Sequence, residues 1–329
     1  MTREDFRCLL CELGIHLRDS VTAARSRRSV ESLADVAGES AADTIYAIDR
    51  ISESAIADWF AAHWPSAEPV EVVMEGLESH RCFPAGCPAG ATKWKCIIDP
   101  IDGTRGIMYD KRSAWVLAGI APQRGDGTRL SGIDVSAMTE IPTTKQWRSD
   151  QISAVRGEGL VCESTNVLTG ATAPLHLHPS GATDFRHGFS WMAKFFPEGR
   201  TLTAQIEERL WDEIVGIGRD ASPVIFDDQY ISTGGAFYEL LAGHDRMVGD
   251  LRPMVYARLG LDASLVCHPY DACTAMLLAE AGVVYEDPRG GFPDAPLDTT
   301  SPIAWIAYAN PALAAIARPV LQKLLRQLL

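Results

Sequence analysis

The sequence has little positive charge. Its 329 residues contain 30 lysines and arginines against 43 aspartates and glutamates, so the formal net charge is −13. Non-specific binding of nucleic acid requires a basic surface, and this excess of acid therefore disfavours a nucleic-acid partner. A small anionic substrate stays possible, because a bound metal ion can outweigh the overall field at close range.

A long apolar run is also missing from the start of the chain. The stretch "MTREDFRCLLCELGIHL" (1–17) mixes charged residues with apolar ones, which fits neither a signal peptide nor a membrane span. The eight cysteines are scattered and form no dense disulfide framework. Cys8 and Cys11 form a CxxC pair without the second pair that a zinc site needs, so a plain helix face is favoured. We expect a cytoplasmic protein with reduced thiols and no membrane partner.

Helix and strand patterns alternate throughout, and repeats and low-complexity segments are absent. Apolar periodicity predicts a helix over 3–35, and "VEVVM" (70–74), "KWKCIID" (93–99) and "AWVLAGIAP" (114–122) read as strands. A closing helix begins at Asn310 and Pro311. The chain is long enough for two domains or one large layered unit, and the alternation predicts an α/β (α+β) fold.

The stretch "KCIIDPIDGTRG" (95–106) carries the clearest chemistry. A buried strand ends at Asp99, and Asp102 follows three residues later with a glycine turn behind it. Pro100 makes the turn rigid, and Gly103 allows a close approach of backbone to ligand, with the N–H groups at 103–105 facing an anion. Clustered carboxylates stay ionised most easily around a divalent cation or in contact with solvent, and if a cation is bound, hard oxygen ligands select Mg²⁺.

Three further acidic residues stand at the ends of predicted elements: Asp49, Glu75 at a strand end, and Asp271 at a helix start. Each has a plain alternative, since Asp49 can pair with a surface cation, Glu75 can be a solvated loop residue and Asp271 can be a helix N-cap. The DPxDG string can likewise be a surface Asx turn. Together they indicate a site for metal-assisted phosphate chemistry.

These segments resemble the inositol monophosphatase family, within the Mg²⁺-dependent, lithium-sensitive phosphatase superfamily. "IIDPIDGT" (97–104) matches that family's DPIDGT signature. Weaker matches follow the family's order along the chain, and they are "DTIYAID" (43–49), "VVMEG" (72–76), "AVRGEGLVCE" (154–163), "HPYDACTAMLLAEAG" (268–282) and "ANPAL" (309–313). The resemblance implies a layered αβαβα sandwich of the inositol monophosphatase and fructose-1,6-bisphosphatase type, usually a homodimer. An N-terminal α+β lobe would span 1–160 and a C-terminal α/β lobe 161–329.

The resemblance also implies a set of metal ligands. Glu75, Asp99 and the Ile101 carbonyl would hold one Mg²⁺, and Asp99, Asp102 and Asp271 would hold a second. Two or three ions are expected in all, with Mn²⁺ as a possible substitute and Li⁺ or Ca²⁺ as inhibitors.

Catalytic roles follow from the same resemblance. Thr104, oriented by Asp49, would help Glu75 to deprotonate the water that attacks phosphorus. Backbone N–H groups near Gly103 and Thr104 would bind the phosphate, and Arg105 adds a cation beside them. The substrate would contact Asp102, Gly103, Thr104, Arg105 and Asp271.

The chain departs from the family pattern around this core. Gly76 replaces the family's second Glu, which weakens a third metal site, and Tyr270 replaces a Trp. Segments 180–230 and 251–266 read as insertions that change the substrate wall. The segment that begins at Ser232 is either a substrate contact or a capped helix start. Three cations could bind a second phosphate or form a solvated turn, namely Arg105, Lys111 and Arg112.

The sequence thus predicts a phosphomonoesterase that acts on a small phosphorylated alcohol, most simply an inositol or sugar phosphate. Alternatives within the enzyme class are 3′-phosphoadenosine-5′-phosphate, fructose-1,6-bisphosphate and histidinol-phosphate phosphatases. A catalytically silent metal-binding homologue and a calcium-binding structural protein are the alternatives outside it. An enzyme is favoured over the silent homologue because the chain retains the whole proposed catalytic and metal-binding set, namely Asp49, Glu75, Asp99, Asp102, Thr104 and Asp271.

Overall fold

The structure is a computed structural model of the chain. It describes residues 1–27, 36–39, 44–75, 81–218, 224–263 and 265–329, with the backbone alone for residues 27, 36–39 and 44–53.

Eight helices lie within the described residues. They are α1 (Arg3–Arg27), α2 (Ala47–His63), α3 (Thr104–Met108), α4 (Arg200–Val215), α5 (Thr233–Leu241), α6 (Arg252–Leu259), α7 (Ala275–Glu280) and α8 (Pro311–Leu328). The predicted first helix is confirmed to Arg27, and residues 28–35 lie outside the description. The start of α8 is also confirmed, since the Asn310 side chain accepts hydrogen bonds from the Ala312 and Leu313 amides. None of these helices combines the length and apolar character needed to cross a membrane.

A large mixed sheet carries the predicted strands. Its order is β10-β9-β8-β7-β6-β5-β3-β4, and only β3 and β5 run parallel to each other. The strands are β3 (Val70–Met74), β4 (Arg81–Phe83), β5 (Trp94–Asp102), β6 (Ala114–Pro122), β7 (Val135–Ile141), β8 (Arg148–Val155), β9 (Leu160–Asn166) and β10 (Thr172–Pro174). A separate hairpin pairs β1 (Val36–Glu39) with β2 (Thr44–Tyr46).

A second sheet of five strands follows in the chain, in the order β12-β11-β13-β15-β14. Its strands are β11 (Gly188–Met192), β12 (Ile225–Phe226), β13 (Asp245–Asp250), β14 (Val284–Glu286) and β15 (Trp305–Tyr308). The first three run parallel and the last two antiparallel to their neighbours.

Two apolar cores fill the space between the layers of helices and sheets. Along β5, Cys96 and Ile98 point into one core with α1 and α2, while Ile97 points into the other. That alternation is the period of two that a strand imposes when both its faces are buried. The second core continues through α5 and α7 to the five-stranded sheet, and then to α4 and α8. The order α1/α2, sheet, α5/α7, sheet, α4/α8 is the αβαβα sandwich, and the predicted fold class is confirmed.

One strand end differs from the sequence-based expectation. We expected the strand to stop at Asp99, but β5 continues to Asp102. Asp99 pairs with Leu117 and Asp102 with Trp115, so three steps on β5 oppose two on β6. This is a bulge of one extra residue, and Pro100 sits within it because it has no N–H to give to the ladder.

Candidate metal and active site

Two parallel strands, β3 and β5, bring the first two carboxylates to the same end of the sheet. Met74 at the end of β3 pairs with Ile98 on β5, so the next residues along the two strands are Glu75 and Asp99. The bulge in β5 then carries the chain to Asp102 at the same edge. Local sequence and strand register alone therefore gather three acidic side chains at the end of the sheet.

Asp271 arrives from the turn that precedes α7. One ligand oxygen each of Asp99, Asp102 and Asp271 lies within 4.8 Å of the others. The turn is held by the His268 amide, which donates to Asp271 Oδ2 at 2.6 Å, and by Ser136 Oγ, which donates to the Cys273 carbonyl at 3.1 Å. The two halves of the chain thus meet at this acidic cluster.

The N-terminus of α5 holds Asp102 in place. Ser232 Oγ donates to Asp102 Oδ2 at 2.8 Å, the Gly234 amide donates to the same oxygen at 2.5 Å, and the Thr233 amide donates to Oδ1 at 3.2 Å. Ser232 also caps the helix, because its Oγ accepts from the Gly235 amide at 2.8 Å. The capping interpretation of this segment is therefore correct, and its contact with Asp102 was missed. A Ser-Thr-Gly-Gly string signals the cap, but no local signal identifies its distant partner.

Burial and mutual repulsion make it unfavourable to ionise the carboxyl groups of this cluster. Burial raises the pKa of Asp99 well above its usual value, and the nearby carboxylates of Glu75, Asp102 and Asp271 raise it further. Burial also raises the pKa of Asp102, to about 6, against the lowering effect of the bonds from Gly234, Ser232 and Thr233. Within the described part of the chain, neither Asp99 nor Asp102 forms an ion pair with a basic side chain.

These residues fit a hard divalent cation. Carboxylate oxygens are the ligands that Mg²⁺ takes from proteins, and three converge here. Two of the three side chains, Asp99 and Asp102, are buried at 2% and 6% exposure, where a negative charge needs compensation. A bound cation supplies that compensation.

The cluster lies in a cavity that contains most of the predicted site residues. Glu75, Asp99, Ile101, Asp102, Gly103, Thr104, Arg105 and Asp271 all line it. Thr104 starts α3, and its Oγ1 donates to the Ile101 carbonyl at 2.8 Å. Gly103 has a φ of +96°, and a Cβ there would lie 3.1 Å from the Ser232 Cβ, so the turn requires glycine.

The remaining predicted features have separate outcomes. The side chain of Asp49 and all of Gly76 fall outside the described residues. Of the three cations considered for a second phosphate, Arg105 lines the cavity. Arg112 instead forms an ion pair with Asp228, and its guanidinium lies 5.1 Å from the Tyr230 ring centroid.

The fold of the chain is similar to that of several solved structures. Fructose-1,6-bisphosphatase of Leishmania major, in its holo form, superposes with a TM-score of 0.69 at 14% identity, covering 99% of this chain and 96% of that one. The extragenic suppressor protein suhB of Bartonella henselae gives 0.64 at 17% identity, covering 97% of both chains. An inositol monophosphatase from Anabaena (Nostoc) gives 0.59 at 12% identity, covering 99% and 97%.

The chain has the inositol monophosphatase fold. The resemblance noted in the sequence is thereby confirmed at the level of the fold, although no protein-family model and no curated protein sequence matches the chain. At 12–17% identity the inositol monophosphatase fold is shared while most side chains differ. The chemistry of this chain must therefore be argued from its own residues.

Proposed function

We propose that the chain is a Mg²⁺-dependent phosphomonoesterase that acts on a small phosphorylated alcohol. The observation that carries the proposal is the convergence of Asp99, Asp102 and Asp271 in one cavity that Glu75 also lines. Two structural relatives are named as phosphatases, which supports phosphate as the ligand. An inositol or sugar phosphate is the substrate that the sequence resemblance favours.

Each residue has a proposed task. Glu75, Asp99, Asp102, Asp271 and the Ile101 carbonyl would hold the ions, which when bound lower the pKa of water and neutralise charge on the phosphate. Glu75 is only half-buried, so its carboxylate can take a proton from water that enters the cavity.

The α3 turn would hold the phosphate end of the substrate. Thr104 keeps its hydroxyl on the Ile101 carbonyl, which orients the turn beside the carboxylates. The positive φ of Gly103 lets the backbone of the turn approach the phosphate without a Cβ in the way. Arg105 supplies positive charge on the same turn.

Phosphate release tests the proposal. Inositol, sugar, nucleotide and histidinol phosphates are incubated with the protein and Mg²⁺, then with Mn²⁺, Ca²⁺ or Li⁺. We expect turnover with Mg²⁺, and Asp99→Asn should lower it by at least 100-fold, because one metal ligand becomes neutral. Asp126→Asn is the matched control, since Asp126 is exposed and outside the cavity.

Calorimetric titration with Mg²⁺ and Ca²⁺ separates the alternatives. Mg²⁺ binding without turnover of any ester favours a silent homologue, and preference for Ca²⁺ without turnover favours a structural calcium protein. Full activity in Asp99→Asn removes the proposed metal site.

We also propose that the protein is a cytoplasmic homodimer without a nucleic-acid or membrane partner. Each protomer would have two lobes, at 1–160 and 161–329. Sedimentation velocity of the purified protein tests the dimer, and a single monomeric species contradicts it.

A further inference from the structure

Aromatic side chains line the same cavity as the carboxylates, and they are called the ring wall below. Six aromatic side chains line it, and they are Trp191, Phe195, Phe196, Tyr230, Tyr270 and Trp305. Four of them are buried, whereas Phe195 and Phe196 are only partly buried. The Phe195–Phe196 pair therefore offers ring surface to whatever occupies the outer part of the cavity.

Two arginines that line the cavity lie against this pair of rings. The Arg252 guanidinium lies 4.9 Å from the ring centroid of Phe195 and 5.5 Å from that of Phe196. Asp250 holds Arg252 through two bonds, Nε to Oδ1 at 2.9 Å and Nη2 to Oδ2 at 2.5 Å. Arg105, on the phosphate turn, lies 5.8 Å from the Phe196 centroid.

The backbone that carries the two rings is anchored as well. Lys194 Nζ forms ion pairs with Glu207 at 2.7 Å and with Asp227 at 2.6 Å. Arg200 donates to the carbonyls of Lys194 and Phe195, at 3.1 and 3.0 Å. A surface anchored this way needs little ordering when a ligand arrives, so its shape selects the ligand.

The side chains of Phe195 and Phe196 offer a polyol no hydrogen-bond partner. Arg252 is already bonded to Asp250 and to the Leu265 carbonyl, and the carboxylates belong to the metal end. A buried hydroxyl left without a partner costs about 1–3 kcal/mol, and inositol carries several. A flat ring instead gains by stacking on aromatic rings and guanidinium groups.

We propose that the alcohol part of the substrate carries a planar aromatic ring, and that Phe195 and Phe196 are the residues that select it. This inference rests on the proposed phosphatase function and departs from the inositol or sugar ester that the sequence resemblance favours. The phosphate would lie at the carboxylates, and the ring would lie against Phe196 near Arg105.

The test uses esters that differ in the ring and little else. Benzyl phosphate and cyclohexylmethyl phosphate have similar size, equal charge and primary-alcohol leaving groups, and inositol 1-phosphate represents the polyols. We expect kcat/KM for benzyl phosphate to exceed that for cyclohexylmethyl phosphate by about 3- to 10-fold, the range of one aromatic stack. Inositol 1-phosphate should be the poorest of the three.

A conservative variant identifies the residue. Phe196→Leu keeps apolar bulk, and it should reduce the benzyl over cyclohexylmethyl ratio to about 1 while changing cyclohexylmethyl turnover little. Phe189→Leu is the matched control, because Phe189 is 41% exposed on β11 and lies outside the cavity. An unchanged ratio in Phe196→Leu, or a wild-type preference for inositol 1-phosphate, overturns the inference and leaves the phosphatase proposal standing.

Binding without turnover separates the two proposals. 2-Phenylethylphosphonate and 2-cyclohexylethylphosphonate replace the ester oxygen by carbon, and quenching of Trp191 and Trp305 fluorescence reports their binding. If no ester is hydrolysed, the phosphatase proposal fails, but binding of the phosphonates still tests whether Phe195 and Phe196 select an aromatic ring. Equal affinity for the two phosphonates overturns it, and a preference for the phenyl compound that Phe196→Leu abolishes supports it.

Discussion

Replacing Asp102 by Asn should remove one contribution to the pH dependence of the stability of the metal-free protein. The pKa of Asp102 is about 6 in the folded chain, against about 3.9 for an aspartate in an unfolded chain. The folded state therefore binds more protons between these values, and its free energy of unfolding falls as pH rises from about 4 through 6. Two pKa units correspond to roughly 3 kcal/mol, of which about 2 kcal/mol is lost between pH 4.5 and 7.5.

Urea unfolding in EDTA at those two pH values measures the effect. Asp102→Asn lacks this titration, so wild type should lose about 2 kcal/mol relative to the variant between pH 4.5 and 7.5. Asp99, whose pKa is also raised, remains in both proteins, and loss of the neighbouring Asp102 charge lowers the pKa of Asp99 in the variant, which enlarges the difference between the two proteins. Asp126→Asn, at an exposed position, should follow wild type.

Mg²⁺ should act in the opposite direction. A cation favours the ionised carboxyl, so Mg²⁺ at 100 times its Kd should add about 2.7 kcal/mol to wild type at pH 7.5 and much less at pH 4.5. The reasoning is refuted if the difference between wild type and Asp102→Asn does not change with pH. It is also refuted if Mg²⁺ stabilises the two proteins equally.

Three further predictions concern the surroundings of the site. Ser232→Ala removes a helix cap and a bond to a carboxylate, so the free energy of unfolding should fall by about 2–4 kcal/mol in urea, and Mg²⁺ affinity in calorimetry should weaken; unchanged affinity contradicts the positioning role. Gly103→Ala should lower phosphate release at least 10-fold, whereas Gly86→Ala, which shares a positive φ but has open space around it, should retain activity in the same assay. Lys194→Met removes the cation that pairs with the buried Glu207 carboxylate, so the free energy of unfolding in urea at pH 8 should fall by about 3–5 kcal/mol. A fall below about 1 kcal/mol would refute the anchoring role of Lys194.

The acidic part of the site could be predicted because its information is local. Glu75, Asp99 and Asp102 follow directly from strand ends, and the parallel register of β3 and β5 then sets them side by side. Apolar runs also predicted β3, β5 and β6 of the large sheet, and the Asn310–Pro311 start predicted the closing helix. Asp271 needed the family resemblance, since nothing near it in the sequence says which turn it meets.

The ring wall could not be predicted, since it depends on contacts between distant segments. Phe195 and Arg252 lie 57 positions apart, in stretches where apolar periodicity is weak, and the cation-to-ring contact exists only after β11 and β13 pair. The bond from Ser232 to Asp102 spans 130 positions. Such pairs leave no mark in a single sequence, because each partner alone looks like an ordinary loop or helix residue.

Helix α5 touches the large sheet at both of its ends. Its first turn bonds Asp102, and near its other end the Tyr238 hydroxyl donates to Asp150 Oδ2 at 2.6 Å. An ion bound by Asp99 and Asp271 would add a third link between the large sheet and the elements beside it. Metal binding in the cavity and the stability of this contact would therefore be thermodynamically coupled. Removal of the ion by a chelator should then make the contact between the large sheet and the elements beside it more accessible to proteases.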